Sequence, residues 1–446
     1  MVIDVQQQSK QRGDTRRGAA GDTPVNAPIA QTGAKKPARM YLMWTIVLVS
    51  LMVGKVGDWF PGLASIPLVK IAYLVAAISA FGGAGAALPS LKIRSSRIAL
   101  AALPFLALAI MSIVFSIAKG ATFAGSLYIM IVLLSIMLVL KVTQTLLDVE
   151  KVLLGFVAAG VSLTVGLILN YHGGRASIND GFDPNDIAYS LDTTLPLMLA
   201  LRHRESRLAR LSMGGLAVVT VLAILLTGSR GGAIGLGVVS IAVIAFPLSR
   251  DESGALKRFS VSRTLITCAI LALVVALSWR FLPDATQQRM ASLMDLGSDY
   301  NAGSENGSRT LIWRQDIGMV LKRPIGFGLN TVDHVNGLAG GQWRTAHNSF
   351  VQALVELGVL GLLLYIRALY TAWKELGRVV ILARNPSAAE EVQKAALYAR
   401  AIRTALAGNM AAGFFLSQAY SAGLWLLLAT AATLVRAAVA TPAKIK

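Results

Sequence analysis

The chain has 446 residues, of which 55% are hydrophobic and only 15% are charged, whereas an ordinary soluble domain carries about 25% charged residues. A soluble chain of this length would need two or three cores with charged surfaces between them, so the composition excludes soluble enzymes, nucleic-acid-binding proteins and secreted disulfide scaffolds. The net charge of +19 agrees with the Lys and Arg excess that polytopic membrane proteins keep in their cytoplasmic segments. We therefore predict an all-α, polytopic integral membrane protein without a nucleic-acid partner.

The chain begins with a polar segment, residues 1–39, that is rich in Gly, Gln and Ala. It lacks the apolar residues needed to offset the entropy lost on ordering, so we predict a disordered cytoplasmic tail followed by one transmembrane domain at 40–446. A helix needs about 20 mostly apolar residues to cross the bilayer. Twelve segments meet or approach this length: 40–56, 63–83, 97–118, 122–141, 151–170, 187–201, 210–227, 231–248, 263–282, 349–369, 399–417 and 421–440.

The distribution of basic residues predicts the orientation of these segments. With the N-terminus inside, the cytoplasmic segments hold 29 Lys and Arg residues, and the segments on the opposite side hold 11. Because cytoplasmic loops carry the excess of positive charge, we expect both termini to be cytoplasmic. This orientation leaves two substantial segments outside, 171–186 and 283–348.

The longer outer segment contains RTLIWRQDIGMVLK, which we predict to be an amphipathic helix. It should either lie on the bilayer surface or cap the helix bundle. Arg309 lies one turn before Trp313, a pairing that on a surface helix is typical of lipid anchoring. Four apolar residues recur at the spacing of one helix face: Trp313, Ile317, Val320 and Leu321.

Arg230 lies in the motif TGSRGG, where the seventh predicted span ends and the eighth begins. A charge at that depth persists mainly when it pairs with another group or lines a cavity, and the flanking glycines would let a ligand approach the backbone closely. The alternative is an arginine that extends to the lipid head groups without binding a ligand. We favour a ligand-binding role.

His347 lies in the motif RTAHNSF, directly before the tenth predicted span. Helix N-termini attract anions, and an imidazole with its ordinary pKa near 6.5 can act as a general base close to neutral pH. A lone histidine is more often structural, and the neighbouring Asn348 or Ser349 could serve only as a helix cap. From the residues alone, both interpretations stay open.

The shorter outer segment contains DGFDPND, which places Asp180, Asp183 and Asp186 near Arg175. Clustered carboxylates can bind a divalent metal, but the spacing matches no EF-hand loop, and turns favour Asp, Asn, Gly and Pro. We therefore predict no metal site, and the absence of a GxxxxGK[ST] loop predicts no nucleotide cofactor. The candidate residues all fall on one side of the membrane, which indicates an outward-facing site for a membrane-held substrate.

Four motifs, in their order along the chain, resemble those of the O-antigen ligase and polymerase superfamily: DPNDIAYSL, TGSRGG, RTLIWRQDIGMVLKRPIGFGLNT and HNSFVQALVELGVLG. The resemblance covers roughly 180–365. It implies a GT-C-like, metal-independent and cofactor-free glycosyltransferase of the bacterial inner membrane, with its active site facing the periplasm. Its donor would be a polysaccharide linked to undecaprenyl diphosphate, and the acceptor of a ligase would be the lipid A–core oligosaccharide, both held among membrane lipid.

The resemblance also implies which residues act. Arg230, Arg309 and His347 match the arginines and the histidine of the family motifs and would be catalytic. Arginine side chains would stabilise the diphosphate leaving group through bidentate hydrogen bonds. His347 would either remove the proton of the acceptor hydroxyl or bind the diphosphate. Substrate-binding roles are expected for five residues: Arg175, Asn185, Trp313, Arg344 and Asn348.

Two other functions remain possible at this point. Ligases, polymerases and protein O-oligosaccharyltransferases share these motifs, so the motifs alone do not identify the acceptor. A transporter of lipid-linked glycan would favour internal repeats and ionisable groups near the bilayer midplane. Lys70, Asp192 and Glu356 are the obvious midspan groups, and we find no repeat. We therefore predict an inverting O-antigen ligase first, a sister transferase second and a transporter third.

Overall fold

The computed structural model describes residues 40–59, 61–63, 65–81, 93, 96–171, 175–178, 183–202, 206–251, 254–257, 259–291, 309–338, 345–385 and 388–440. Within these ranges all regular elements are helical, apart from an isolated β-bridge between Arg250 and Leu256. The all-α prediction is confirmed. The tail predicted to be disordered lies outside the described residues.

Fifteen helices of seven or more residues form the described part of the chain. They are α1 (Met40–Gly54), α2 (Leu68–Phe81), α3 (Arg97–Met111), α4 (Lys119–Val142), α5 (Leu146–Leu169), α6 (Pro184–Leu201), α7 (Arg207–Leu226), α8 (Arg230–Ala245), α9 (Val261–Phe281), α10 (Asp284–Ala291), α11 (Arg309–Lys322), α12 (Val332–Leu338), α13 (Ser349–Leu382), α14 (Glu390–Gly413) and α15 (Ala422–Ala440). Shorter helical turns are Val56–Trp59, Pro61–Leu63 and Ser112–Val114.

Each of the twelve predicted segments coincides with a helix, but the count of twelve spans is not confirmed. Within the described residues, six helices are long and apolar enough to cross a membrane: α3 with the turn that follows it, α4, α5, α7, α13 and α15. The helices α1, α2, α8 and most of α9 are apolar but shorter. The helices α6 and α14 are less apolar and belong to neither group. The chain is therefore a multi-pass helical membrane protein.

The helix α13 is longer than the predicted tenth span. It begins at Ser349, as expected, but continues to Leu382, and α14 begins soon after it. Most of the cytoplasmic loop predicted between these spans is therefore helical. Hydropathy marks only the bilayer part of a helix, whereas polar contacts can extend it further, as Glu375 does by pairing with Arg97 and Arg378.

The helix α6 is enclosed by α5, α7, α8 and α14, and every residue from Leu191 to Met198 is buried. Small residues allow this close packing. A Cβ added to Gly232 of α8 would lie 2.4 Å from the Cβ of Ala188, and one added to Gly235 would lie 2.2 Å from Oδ2 of Asp192. Membrane helices commonly approach one another through such small residues. This packing fixes the N-terminal ends of α6 and α8 relative to each other.

A break in α13 receives the segment that connects α11 to α12. Gly358 has a φ of 69° inside the helix, a conformation that favours glycine. The carbonyls of Val355 and Glu356 accept hydrogen bonds from the backbone N–H groups of Phe327 (3.0 Å) and Gly328 (2.8 Å). Non-helical backbone at membrane depth is tolerated where protein groups satisfy it. The contact attaches the segment between α11 and α12 to α13.

Candidate active site

Arg230 is the first residue of α8 and follows a tight turn at 227–229. Gly228 in this turn has a φ of 60°, which glycine adopts without steric cost. Ser229 caps the helix by accepting a hydrogen bond from the backbone N–H of Gly232 at 3.0 Å. Turn and cap together hold Arg230 at a helix N-terminus, where backbone N–H groups and the helix dipole favour anions.

Two other arginines hold the same turn through its carbonyl groups. Nε of Arg175 donates to the carbonyl of Thr227 at 3.1 Å, and Nε of Arg289 donates to the carbonyl of Gly228 at 3.0 Å. Nη2 of Arg175 also donates to Oδ1 of Asn185 at 3.3 Å. The structure thus brings the predicted Arg175 and Asn185 to the turn that carries Arg230. It adds Arg289, which the sequence did not single out.

The three arginines are close enough to influence one another electrostatically. Burial lowers the pKa of Arg175, the positive charges of Arg289 and Arg230 lower it further, and the carboxylate of Asp183 opposes them. Like charges at close range are unfavourable unless an anion compensates them. Guanidinium groups bind phosphate oxygens through charge-assisted hydrogen bonds. The cluster of Arg175, Arg230 and Arg289, called the arginine cluster below, is therefore suited to a phosphate-bearing ligand.

The glycines that follow Arg230 serve helix packing. A Cβ added to Gly231 would lie 3.2 Å from the Cβ of Phe415, and the corresponding atom on Gly232 would meet Ala188. The expectation that these two glycines open the backbone to a ligand is therefore wrong, because neighbouring side chains already occupy that space.

His347 adopts a backbone conformation that is uncommon for its residue type. Its φ is 47°, in the left-handed region that few non-glycine residues occupy, and its side chain is partly buried. Nε2 of the imidazole lies 3.4 Å from Oγ1 of Thr345. Such strain persists only where the surrounding structure holds it, and it occurs often at functional sites.

Hydrogen bonds on both sides of His347 hold its backbone. Before it, the carbonyl of Ala346 accepts a hydrogen bond from Nε1 of Trp313 at 2.7 Å. After it, the side chain of Asn348 accepts from the backbone N–H groups two and three residues later, at 2.8 and 3.1 Å. The interpretation that Asn348 caps α13 is confirmed. The structure therefore brings the predicted Trp313, His347 and Asn348 together.

The predicted helix at 309–322 is present as α11, but its predicted apolar face is only partly correct. Trp313 and Val320 pack into a cluster with α12 and α13, whereas Ile317 and Leu321 are 45% and 78% exposed. The helix is apolar on more than one side, and the bundle selects the side that it covers. Of the two placements expected, α11 adopts the one over the bundle, and Arg309 is its partly buried first residue.

The turn between α14 and α15 links the two candidate groups. The side chain of Leu416 packs against Gly231, next to Arg230. The carbonyl of Leu416 accepts a hydrogen bond from Oγ of Ser349 at 2.7 Å, two residues after His347. Arg230 and His347 therefore lie at the same end of the bundle, with this turn between their helices.

The acidic residues near Arg175 have structural contacts. Asp183 caps α6 by accepting a hydrogen bond from the backbone N–H of Asn185 at 2.9 Å, and Asp186 accepts one from Nε2 of Gln418. In the part of the chain that the structure describes, no three His, Cys, Asp or Glu side chains form a group that could hold a metal. Asp180 and Arg344 lie outside the described residues.

Fold and site together define a multi-pass helical membrane protein with a cationic site at one end of its bundle. Residues 215–366, from α7 into α13, match the family model described as O-antigen ligase. This match, over about a third of the chain, supports membership of the O-antigen ligase superfamily, whose members are glycosyl-transferring enzymes, either ligases or polymerases. A comparison with curated proteins gives no match. The matched stretch includes Arg230, Arg289, Arg309 and His347.

Proposed function

We propose that the protein is an O-antigen ligase. It transfers a glycan from undecaprenyl diphosphate to the lipid A–core oligosaccharide at the periplasmic face of the bacterial inner membrane, with both termini in the cytoplasm. The observation that carries this proposal is the arginine cluster at the Gly228 turn, at the same end of the bundle as His347. The family match supports glycosyl transfer, and a positive cluster at the same end of the bundle as a histidine fits a diphosphate-linked donor.

The arginine cluster stabilises the leaving group. Negative charge develops on the diphosphate as the bond between its oxygen and the anomeric carbon breaks. Arg230 meets this charge from the N-terminus of α8, while Arg175 and Arg289 are oriented by their bonds to the carbonyls of the turn. Because these donors are already in place, little reorganisation accompanies the reaction, and preorganised charge of this kind is a major source of catalysis.

His347 acts as the general base on the acceptor. The acceptor hydroxyl oxygen forms a bond to the anomeric carbon while the diphosphate departs, and the hydroxyl proton passes to the imidazole. A single displacement of this kind inverts the anomeric configuration. A positioned base contributes roughly 10²–10⁴-fold to the rate. The bonds that hold Ala346 and Asn348 fix the backbone from which the imidazole extends.

The other predicted residues support these two groups. Asn185 orients Arg175 through Oδ1, and Trp313 and Asn348 hold the segment of His347. The proposed contacts of Arg309 and Arg344 with substrate rest on the resemblance of their motifs. Arg309 begins α11, the helix that also carries Trp313.

The acceptor distinguishes the ligase from its sister enzymes. The experiment is to reconstitute the purified chain with lipid-linked glycan and to offer lipid A–core, a second lipid-linked repeat or an acceptor protein separately. Transfer to lipid A–core alone supports the ligase. Transfer only to the second lipid-linked repeat would identify a polymerase, and transfer only to protein a protein O-oligosaccharyltransferase. Movement of the donor across the bilayer without any transfer would overturn the proposal in favour of a transporter.

We further predict that transfer needs no divalent metal. Asp183 and Asp186 already accept hydrogen bonds, and the arginine cluster can carry the diphosphate charge. The check is to measure transfer after exhaustive chelation. Activity that disappears and returns with added Mg²⁺ or Mn²⁺ would contradict this prediction.

A further inference from the structure

A cavity of about 430 Å³ lies between α6, α7, α8 and α9. Its walls run from the middle of these helices, at Leu195 of α6 and Leu236 of α8, to the ends that point away from Arg230, at Leu199 of α6 and Val243 of α8. The helix α6 has 18 residues, so its two ends are about 27 Å apart at 1.5 Å per residue. The end of the cavity at Leu199 is therefore far from the arginine cluster.

The helix α9 forms an open wall of this cavity. Among its described residues only Ser278 is buried. Ile266 and Ile270 line the cavity, yet they are 59% and 55% exposed. An apolar helix with so little protein contact in a membrane protein needs hydrocarbon around it. The apolar part of the cavity therefore has the shape and chemistry to accept an acyl chain between α9 and its neighbours.

The other part of the cavity is polar and positively charged. Arg202, at the end of α6, and Lys257 line it together with the hydroxyl groups of Ser249 and Ser260. None of the described lining residues is acidic. Nε of Arg202 is buried and has no hydrogen-bond partner in the described part of the chain. A buried donor of this kind costs free energy unless an acceptor satisfies it.

A small hairpin places Lys257 at this cavity. The backbone N–H of Lys257 donates to the carbonyl of Ser249 at 3.0 Å. Nη1 of Arg400, on α14, donates to the carbonyls of Pro247 (3.2 Å) and Lys257 (2.9 Å), which ties the hairpin to the bundle. The cationic wall is thus part of the folded structure rather than a loose surface charge.

We propose that this cavity is a binding site for an anionic phospholipid. The headgroup phosphate accepts hydrogen bonds from Arg202 and Lys257, and an acyl chain extends between α7, α8 and α9. The tail of a prenyl-linked donor fits less well. With its diphosphate at the arginine cluster, such a donor would bring only hydrocarbon to Arg202 and Lys257 and would leave both charges uncompensated. The lipid site does not depend on the proposed glycosyl transfer.

The test measures lipid binding by the purified full-length chain in phosphatidylcholine nanodiscs. The probe is fluorescent phosphatidylglycerol, and fluorescent phosphatidylcholine is the neutral reference. We expect the double variant Arg202→Gln/Lys257→Gln to bind phosphatidylglycerol about tenfold more weakly or worse, since charge-assisted hydrogen bonds are among the strong ones. The matched control is Arg207→Gln/Arg210→Gln. It removes the same charge from exposed positions at the same end of the bundle and should bind normally.

A second pair of variants tests the apolar part. Val243→Phe fills the cavity from α8 and should weaken phosphatidylglycerol binding, whereas Ile241→Phe, at a position that is 68% exposed on the same helix, should not. If the double variant does not fold, Lys257→Gln alone, on the hairpin, replaces it.

Three results would overturn the proposal. One is equal phosphatidylglycerol affinity in the double variant and its control. Another is displacement of the probe by millimolar inorganic phosphate, which would indicate a site for free anion. The third is displacement by a long-chain prenyl diphosphate to the same extent in the double variant and the wild type, which would assign the cavity to the donor's tail.

Discussion

The Gly228 turn and the segment of His347 lie at one end of the bundle but are held in different ways. Charged side chains hold the turn, because Arg175 and Arg289 donate directly to its carbonyls. Neutral groups hold the other segment, through the indole of Trp313 before His347 and the amide of Asn348 after it.

This difference indicates how the two regions divide the work. The guanidinium groups that brace the turn also supply the positive charge, so structure and anion binding depend on the same side chains. Around His347 the bracing groups are separate from the imidazole, so one side chain can be removed without loss of the framework. We therefore expect variants of His347 to affect the chemical step, and variants of the arginine cluster to affect donor binding as well.

The largest effect is expected for His347→Ala. Transfer should fall by roughly 10²–10⁴-fold, because the proton of the acceptor hydroxyl loses its base. Donor affinity and the melting temperature should stay close to those of wild type, and kcat and kcat/KM should fall together. His334→Ala, which removes a partly buried histidine of α12, is the matched control and should retain transfer.

Two outcomes would contradict this division for His347. Full turnover in His347→Ala would remove the histidine from the mechanism. Lost donor binding in a folded His347→Ala protein would show that the imidazole binds the diphosphate. The Gly228 turn and the segment of His347 would then both serve donor binding.

The next effect is expected for Arg230→Lys. Lysine keeps the charge but cannot form the planar, two-pronged contact that arginine makes with phosphate oxygens, so we expect donor affinity to fall about tenfold or more. Arg289→Lys should also weaken donor binding, because lysine cannot brace the carbonyl of Gly228 and contact phosphate at once. Arg280→Lys, at an exposed position in the last turn of α9, is the control. Wild-type donor affinity in a folded Arg230→Lys protein would instead support an arginine that only reaches the lipid head groups.

A smaller effect is expected for Trp313→Phe. The variant loses the hydrogen bond to the carbonyl of Ala346, worth about 1 kcal/mol, but retains an aromatic ring beside Phe414, where the ring centroids are 5.5 Å apart. We expect kcat to fall several-fold with donor affinity unchanged, since the bond positions only the segment of His347. Trp279→Phe, on the exposed side of α9, should have wild-type kinetics. Weaker donor binding in Trp313→Phe would show that the segment of His347 and the Gly228 turn are not independent.

Local patterns in the sequence were enough to predict much of the fold. The apolar segments locate the membrane helices, and the Asn348 cap and the position of Arg230 at the start of α8 follow from short motifs. The break at Gly358 could not be predicted, because it lies in an apolar run that reads as one helix. Only the backbone of Phe327 and Gly328, brought there by tertiary folding, completes the hydrogen bonds of the break.

The candidate site was predictable only in part, for a similar reason. Arg175, Arg230 and His347 lie in or beside recognisable motifs. Arg289 lies in DATQQRMA, a polar stretch without a motif, and its contact with Gly228 spans 61 residues of sequence. The spacing in α11 places Ile317 on the same apolar face as Trp313, but the helix alone does not indicate which side the bundle covers, and Ile317 is exposed.

The smallest effect on transfer is expected for Asp316, which is fully buried on α11, the helix that carries Trp313. Burial raises the pKa of this carboxyl from 3.8 to about 7. Below about pH 3.8 the group is protonated in both folded and unfolded chains. Between about pH 3.8 and 7 the carboxyl is ionised in the unfolded chain but still protonated in the folded chain. The free energy of unfolding therefore falls as the pH rises across this interval, by about 4 kcal/mol at most. Asp316→Asn removes the titration, so its melting temperature should decline less between pH 5 and pH 8 than that of wild type. Asp284→Asn, at an exposed position of α10, should decline as wild type does. An equal decline in Asp316→Asn and wild type would exclude Asp316 as the group responsible.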